Sequence, residues 1–187
     1  MRGVGAITCM AVLGLVACTQ SGPSTGIREG QQGLESTGHP PWVTAYRDVY
    51  SATHWDSTVE VRCNSVAAAL YKANSRLLTA EDEARALGHP LPSYTTYPVG
   101  SVVLKVHRRP DQGANAPVTM WTGMQKISNG SDATKSEWLY QEWDADGRIV
   151  LSGNADTPEV MTRCSYCHIA VQHRDFLYHH ASSGPTP

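Results

Sequence analysis

Two periodicities divide the middle of the chain into predicted strands and helices. Thr58–Cys63 and the segment VGSVVLKVHRR alternate between apolar and polar positions, as strands do. Asn64 is a favoured residue at a helix N-terminus, and the segment SVAAALYKA that follows it is interpreted as a helix. Trp42–Tyr50 is interpreted as a short helix as well. The folded part is therefore predicted to open with helix, strand and helix.

The segment VGSVVLKVHRR carries the clearest alternation. Val102, Leu104 and Val106 share one face, because successive side chains leave a strand on opposite sides. Lys105 is therefore predicted to point away from this apolar face. The residues that share its side are Ser101, Val103 and His107.

Two more strands are predicted at PVTMWTGMQKI and EWLYQEW, and the turn DADG after the second can supply the positive φ of a tight hairpin. A short acidic helical piece is predicted within residues 80–97. Helix returns around two cysteines near the C-terminus and is expected to continue through IAVQHRDFLYH. These elements predict an α+β fold, with an antiparallel sheet of about four or five strands and flanking helices.

The first residues have the pattern of an export signal. Arg2 precedes an apolar run, Val4–Val16, that is too short to span a bilayer. The segment LVAC resembles a bacterial lipobox, so residues 1–17 are predicted to be a lipoprotein signal peptide and Cys18 to carry a lipid. The alternative is an ordinary secretory signal cut near Ala17. The sequence thus predicts a periplasmic lipoprotein that is anchored to a membrane.

Composition divides the rest of the chain. Residues 18–39 are rich in Gly, Ser, Thr and Gln and are interpreted as a flexible tether. Residues 40–181 are predicted to form one folded domain, and residues 182–187 a disordered tail. The chain of 187 residues has 15 Lys and Arg residues against 17 Asp and Glu residues, without a basic stripe. Nucleic acid is therefore not expected among its partners.

The strongest chemical motif is CSYCH, in which His168 directly follows the pair Cys164 and Cys167. Two thiols at this spacing can each add to a vinyl group of haem, and the adjacent histidine then ligates the iron. A zinc site would need a second pair of ligands, and a redox dithiol would not require the histidine. The motif therefore predicts one covalently attached haem c per chain, at the C-terminal end of the fold, with His168 as an axial iron ligand.

Several other residues carry weaker predictions. Cys63 is expected to be a small buried group without chemistry, and His179 with His180 is expected to be a solvated pair. Three aromatic residues are expected to serve packing: Trp138, Tyr140 and Trp143. Three arginines are candidate partners of a haem propionate, with plain solvent exposure as the alternative: Arg62, Arg108 and Arg109.

Five segments in order resemble the cytochrome P-460 family and the related cytochromes c-prime-beta: VEVRCNSVAAALY, YPVGSVVLKV, VTMWTGMQK, EWLYQEWDADG and CSYCHIAVQHRDF. The resemblance covers most of residues 42–178 and implies a mono-haem c-type cytochrome that acts on small nitrogen compounds. One branch oxidises hydroxylamine to nitric or nitrous oxide and has a lysine crosslinked to the haem, and Lys105 matches that lysine. The alternative for Lys105 is a solvated lysine on an exposed face of the sheet. The resemblance also implies a homodimer and a redox partner such as another cytochrome.

One position departs from this branch. The hydroxylamine oxidases have a distal glutamate four residues before the lysine that matches Lys126, and Thr122 occupies that position here. Threonine has no useful pKa for proton transfer. Either another group serves, or the protein does not catalyse this reaction quickly. The candidate groups are Glu142, Glu137 and His54.

Two alternatives to hydroxylamine oxidation stay open. The protein could bind nitric oxide under an apolar cap, as the resemblance to the cytochromes c-prime-beta implies, with Met120 and Met124 in the cap. Plain core packing is the other interpretation of these two methionines. The protein could also be a simple electron carrier in which Met120, Met124 or Met161 supplies a sixth iron ligand.

Overall fold

A computed structural model describes residues 42–51, 54, 56–110, 116–129 and 137–180. The predicted signal peptide, the lipidation residue Cys18, the tether and the C-terminal tail lie outside these residues. None of the described helices is long and apolar enough to cross a membrane.

Six strands in the described part form one antiparallel sheet, and the strands stand in the sheet in the order of the sequence. Between the second and third strands the chain forms two helices, and after the last strand it forms a continuous helical segment. The strands are β1 Val43–Ser51, β2 Ser57–Cys63, β3 Val102–Arg108, β4 Val118–Lys126, β5 Trp138–Asp144 and β6 Ile149–Gly153. The two helices are α1 Ser65–Ser75 and α2 Leu78–Leu87. The C-terminal helical segment consists of α3 Pro158–Val160, a π-helical turn Met161–Ser165, α4 Tyr166–His168 and a 3-10 turn Ile169–Arg174.

The α+β class and the antiparallel sheet are confirmed, and the sheet has one strand more than the upper end of the prediction. The additional strand is β1, so the predicted helix at Trp42–Tyr50 is wrong. Val43, Tyr46 and Val49 are three residues apart, which is a helical spacing, but they pair with residues of β2 that are two apart. Two register shifts in β1 absorb the extra residues. The chain therefore opens with two strands and then a helix.

The two faces of the sheet carry separate apolar clusters. Val102, Leu104 and Val106 pack with Trp121 and Trp143 on one face, as the alternation in β3 predicts. The other face carries the larger core, which α1 and the C-terminal residues cover. Its members from the sheet include Val59, Val61, Cys63, Val103, Met124, Trp138 and Tyr140. Lys105 belongs to this second face, because it alternates with the apolar residues of the first.

Asn64 joins α1 to β3. Its side-chain oxygen accepts hydrogen bonds from the backbone N–H of Ala67, at the start of the helix, and of Val102, at the start of the strand, both at 3.1 Å. Its side-chain nitrogen donates to the carbonyl oxygen of Gly100 at 2.8 Å. Gly100 has φ 88, a value that favours glycine. The predicted cap is therefore present, and it also aligns the strand that carries Lys105.

Candidate haem site

A cavity of about 740 Å³, including the part open to solvent, lies on the larger-core face of the sheet. The sheet contributes Val103, Lys105, Thr122, Gly123, Met124, Tyr140 and Gln141 to its lining. The C-terminal part of the chain contributes Arg163, Cys164, Cys167, His168, Leu177 and Tyr178, and the chain between β1 and β2 contributes His54. The five residues singled out inside the predicted domain, Lys105, Thr122, Cys164, Cys167 and His168, therefore line one cavity.

The CSYCH motif lies within the C-terminal helical segment. Cys164 is in the π-helical turn, and Cys167 and His168 are in α4. Single π-helical turns inside helices occur often at functional sites. Neither cysteine forms a disulfide bond within the described residues, and Cys164 is partly buried while Cys167 is exposed. Burial raises the pKa of the Cys164 thiol to about 11.

His168 is buried, and its ring Nδ1 lies 2.6 Å from the carbonyl oxygen of Phe176. A carbonyl can only accept, so Nδ1 carries the hydrogen and Nε2 keeps its lone pair. Burial, and then the charge of Lys105, lower the pKa of His168 to about 4, against the opposing effect of the Phe176 hydrogen bond. His168 is therefore a neutral imidazole at neutral pH. Metal-binding histidines are commonly oriented by such a bond from the second ring nitrogen.

The carbonyl of Phe176 is positioned by a turn of two residues in the left-handed region. Asp175 has φ 52 and Phe176 has φ 62. The carboxylate of Asp175 accepts hydrogen bonds from Lys126 Nζ at 2.7 Å and from the backbone N–H of Tyr97 at 2.8 Å. The predicted continuation of the helix through IAVQHRDFLYH is therefore wrong beyond Arg174, because left-handed residues cannot continue a right-handed helix.

Lys105 is 7% exposed and lies on β3 between Val61 of β2 and Thr122 of β4. Its amine makes no hydrogen bond or ion pair with any other residue in the described part of the chain. Burial lowers the pKa of Lys105 from 10.5 to about 8. A buried amine without a partner is costly. A buried lysine is therefore uncommon unless a partner, such as a ligand in the adjacent cavity, pairs with its amine.

Thr122 is half-buried, and its hydroxyl lies 2.9 Å from Nε2 of His107. The other ring nitrogen of His107, Nδ1, lies 2.9 Å from the hydroxyl of Ser57. Burial, and then the charge of Lys105, lower the pKa of His107 to about 3. The side chain of Thr122 is therefore hydrogen-bonded to a neutral, fully buried imidazole.

The three groups considered as substitutes for the missing glutamate have different positions. His54 lines the cavity, and its Nδ1 lies 3.0 Å from the Ser51 hydroxyl. Glu142 is directly opposite Thr122 on β5, but its carboxylate is buried and accepts a hydrogen bond from Arg163 at 2.7 Å. Burial raises the pKa of Glu142 in spite of this arginine. Glu137 accepts a hydrogen bond from Ser128 and is not among the lining residues. Among the described residues, no carboxylate lines the cavity.

The three candidate methionines also differ in whether they line the cavity. Met124 is buried and lines the cavity, whereas Met161 is half exposed and Met120 is partly buried, and neither is among the lining residues. Among the three candidate sixth ligands, Met124 alone therefore lies beside the site.

The arginine candidates lie elsewhere. Arg62 and Arg108 pair with Glu60, on the face of the sheet that does not carry the cavity. Arg109 is exposed. Arg163 is the arginine among the lining residues, and sequence reasoning missed it. Its position four residues before Cys167 was the available signal, because residues four apart lie on the same face of a helix.

The histidines at the end of the chain are not the solvated pair that the sequence suggested. His179 is buried, and its Nε2 lies 2.9 Å from the hydroxyl of Tyr97. His180 is partly buried. The ring of His179 packs against the rings of Tyr71, Tyr94 and Tyr97, with centroids 4.9, 5.8 and 6.1 Å away. Within the described ranges, no cluster of His, Cys, Asp or Glu side chains is arranged to hold a metal ion.

The residues present fit a haem. His168 offers a neutral Nε2 whose ring is fixed by Phe176, and two thiols stand on the same turn of helix. Tyr140 and Tyr178 contact the His168 ring edge-on, with centroids at 5.5 and 5.2 Å. Arg163 also lines the cavity, where its guanidinium pairs with Glu142 at 2.7 Å.

A six-stranded antiparallel sheet followed by a helical CSYCH motif defines an α+β protein of the haem-binding class. Residues 45–179 match the family model described as Cytochrome P460. The chain therefore belongs to the cytochrome P460 family, which implies a c-type haem protein. No curated protein matches the chain.

Proposed function

We propose that the protein holds one haem c per chain, attached at Cys164 and Cys167 and ligated by His168, and that it oxidises hydroxylamine to nitric or nitrous oxide. The observation that carries this proposal is the buried amine of Lys105, which has no hydrogen-bond or ion-pair partner in the described part of the chain and lies in the same cavity as the CSYCH motif. When bound, the haem supplies the iron that accepts electrons and an open position for a small nitrogen ligand.

The position of Lys105 supports a reactive role. Its lowered pKa leaves more uncharged amine at neutral pH than an ordinary lysine has, and an uncharged amine is the nucleophilic form. A lysine that only faces solvent would not be buried in this way. A covalent link from Lys105 to the haem, as in the hydroxylamine-oxidising members of the family, would remove the cost of burying the charge.

Other residues hold and shield the proposed site. The Phe176 carbonyl fixes the ring of His168 in one tautomer. Val103, Met124 and Leu177 give the cavity apolar surface that excludes water. His54 and Thr122 are among the uncharged polar residues that line the cavity and could contact a small ligand.

The first experiment is production of the full chain with c-type maturation factors, followed by tryptic mass spectrometry. We expect one haem-bearing peptide that joins the CSYCH segment to the segment containing Lys105. Purified protein should then reduce an added electron acceptor when hydroxylamine is supplied. Lys105→Arg keeps the charge and length but should lose the linked peptide. A chain that loads haem but neither forms the link nor consumes hydroxylamine would refute the proposal.

A second function, binding of nitric oxide, is favoured by one observation. The described lining of the cavity contains no carboxylate, so proton removal from hydroxylamine lacks the group that the hydroxylamine-oxidising members use. An ordinary high-spin ferrous spectrum, tight uptake of nitric oxide and no Lys105 peptide would support this function instead. A low-spin ferrous haem with no open position would point to electron transfer, with Met124 as the first ligand to test.

We further propose that the protein is a periplasmic lipoprotein that forms a homodimer and passes electrons to a partner such as another cytochrome. The lipobox-like LVAC segment and the family support these proposals. Labelling of cells with a radioactive fatty acid should mark the wild-type protein and not Cys18→Ser. Light scattering of the soluble domain would test the dimer.

A further inference from the structure

A hydrogen-bonded chain leads from the cavity into the sheet. It runs from Thr122 on β4 to His107 on β3, then to Ser57 on β2, and ends on the carbonyl oxygen of His54. The distances along it are 2.9, 2.9 and 2.7 Å. His107 is fully buried and Ser57 nearly so, which shields these bonds from competing water.

The direction of this chain follows from counting hydrogens. A carbonyl oxygen only accepts, so the single hydroxyl hydrogen of Ser57 goes to His54. Ser57 must then accept from Nδ1–H of His107. In the reverse arrangement, two lone pairs would face each other at 2.7 Å between Ser57 and the His54 carbonyl.

The tautomer of His107 then sets the orientation of Thr122. A neutral imidazole has one N–H and one bare nitrogen, so a hydrogen on Nδ1 leaves Nε2 as an acceptor. The low pKa of His107 keeps its ring neutral at neutral pH. Thr122 therefore donates its hydroxyl hydrogen to His107 and offers the cavity only oxygen lone pairs.

We propose that His107 positions Thr122 as a hydrogen-bond acceptor, so that the site favours small ligands that carry N–H or O–H groups over ligands that lack them. Hydroxylamine belongs to the first class, and nitric oxide and carbon monoxide belong to the second. This inference rests on the proposed haem site, and it makes His107 a positioning residue and Thr122 a specificity-determining one.

The tautomer is tested directly by ¹⁵N NMR of the histidine rings in the haem-loaded, ferrous, carbon monoxide form of the full chain, which is diamagnetic. We expect His107 to carry hydrogen on Nδ1 and none on Nε2. His107→Gln identifies its signals. A hydrogen on Nε2 would overturn the proposal, whatever the activity of the protein.

The preference is tested by titrating the haem-loaded protein without an electron acceptor, using hydroxylamine on the ferric form and carbon monoxide on the ferrous form. Thr122→Val should weaken hydroxylamine binding about threefold to tenfold, the usual worth of one hydrogen bond, and leave carbon monoxide binding within about twofold. Thr122→Ser should restore hydroxylamine binding. Ser57→Ala keeps Thr122 but removes the hydrogen bond that fixes the tautomer of His107. This variant should lose part of the preference for hydroxylamine over carbon monoxide. Equal effects of Thr122→Val on both ligands would overturn the proposal.

The two levels of proposal fail separately. If hydroxylamine binds with the expected dependence on Thr122 but is not oxidised, the proposed function is wrong and the acceptor role of Thr122 stands. If hydroxylamine is oxidised equally well by Thr122→Val and binds it equally well, the proposed function stands and the role of Thr122 is wrong.

Discussion

The ring of His168 and the carbonyl of Phe176 are eight residues apart in the chain and 2.6 Å apart in space. The left-handed turn at Asp175 and Phe176 makes this contact, and Lys126 of β4 holds the turn through Asp175. A bond between sheet and turn therefore orients the proposed iron ligand. Changes in the sheet should reach the site along this route.

Covalent attachment of haem should depend on both cysteines of the motif. Cys164→Ser and Cys167→Ser should each reduce the haem that stays with the protein after extraction with acidified organic solvent, and the double variant should retain none. The matched control is Cys63→Ala, which removes a buried thiol in the core and should leave attachment unchanged. Full retention in the double variant would disprove thioether attachment.

Lys105→Met should stabilise the haem-free protein. The fall of the pKa of Lys105 from 10.5 to about 8 corresponds to a folding cost of about 3 kcal/mol at pH 7. The unfolded chain keeps the proton on Lys105 up to about pH 10.5, but the folded chain only up to about pH 8. Between these values, the unfolding free energy of the wild type therefore rises relative to that of Lys105→Met. Urea unfolding at pH 7 and at pH 10 measures both effects.

A stability difference that is the same at both pH values would contradict this assignment of Lys105. Lys126→Met is the matched control, because Lys126 is an equally buried lysine that has a partner. It should destabilise the protein at both pH values.

The pair of Lys126 and Asp175 should behave as one unit. Their side chains are 5% and 8% exposed and lie 2.7 Å apart, so removal of either partner leaves a buried group without its counter-ion. Lys126→Met and Asp175→Asn should each cost about 3 kcal/mol of unfolding free energy. The double variant should cost at least about 1 kcal/mol less than the sum. Additive losses would show that the two residues are not coupled.

Glu81 should make the protein sensitive to acid. Its side chain is fully buried and accepts hydrogen bonds from Arg174, Arg85 and Tyr94. Burial alone would raise the pKa of Glu81, but these bonds outweigh it and hold the pKa well below its ordinary value of 4.5. The stabilisation is therefore present above pH 4.5 and is lost as the pH falls below that value.

The measurement is the free energy of unfolding in urea at pH 6 and pH 3. Glu81→Gln should be about 3 kcal/mol less stable than wild type at pH 6, with a smaller difference at pH 3. Asp82→Asn changes an exposed neighbour on the same helix and should match wild type at both values. A constant difference between Glu81→Gln and wild type would argue against a charged Glu81 in the folded protein.

The local sequence pattern predicted several secondary-structure elements correctly and one incorrectly. The alternation of β3 and the cap at Asn64 were predictable, because each depends on neighbours within a few residues. β1 was misread as a helix, because its register shifts space apolar residues by three. Pairing with β2 decides its structure, and pairing is a long-range interaction that a single segment does not contain.

The sequence by itself determined the haem-type motif, the α+β class and the face of β3 that carries Lys105, because spacing and periodicity are local properties. Only the tertiary structure decided that Lys105 and Thr122 share a cavity with His168, that Arg163 rather than Arg62 lines it, and that His107 stands behind Thr122. The reason is that these contacts join residues far apart in the chain, and strand pairing and the turn at Asp175 bring them together.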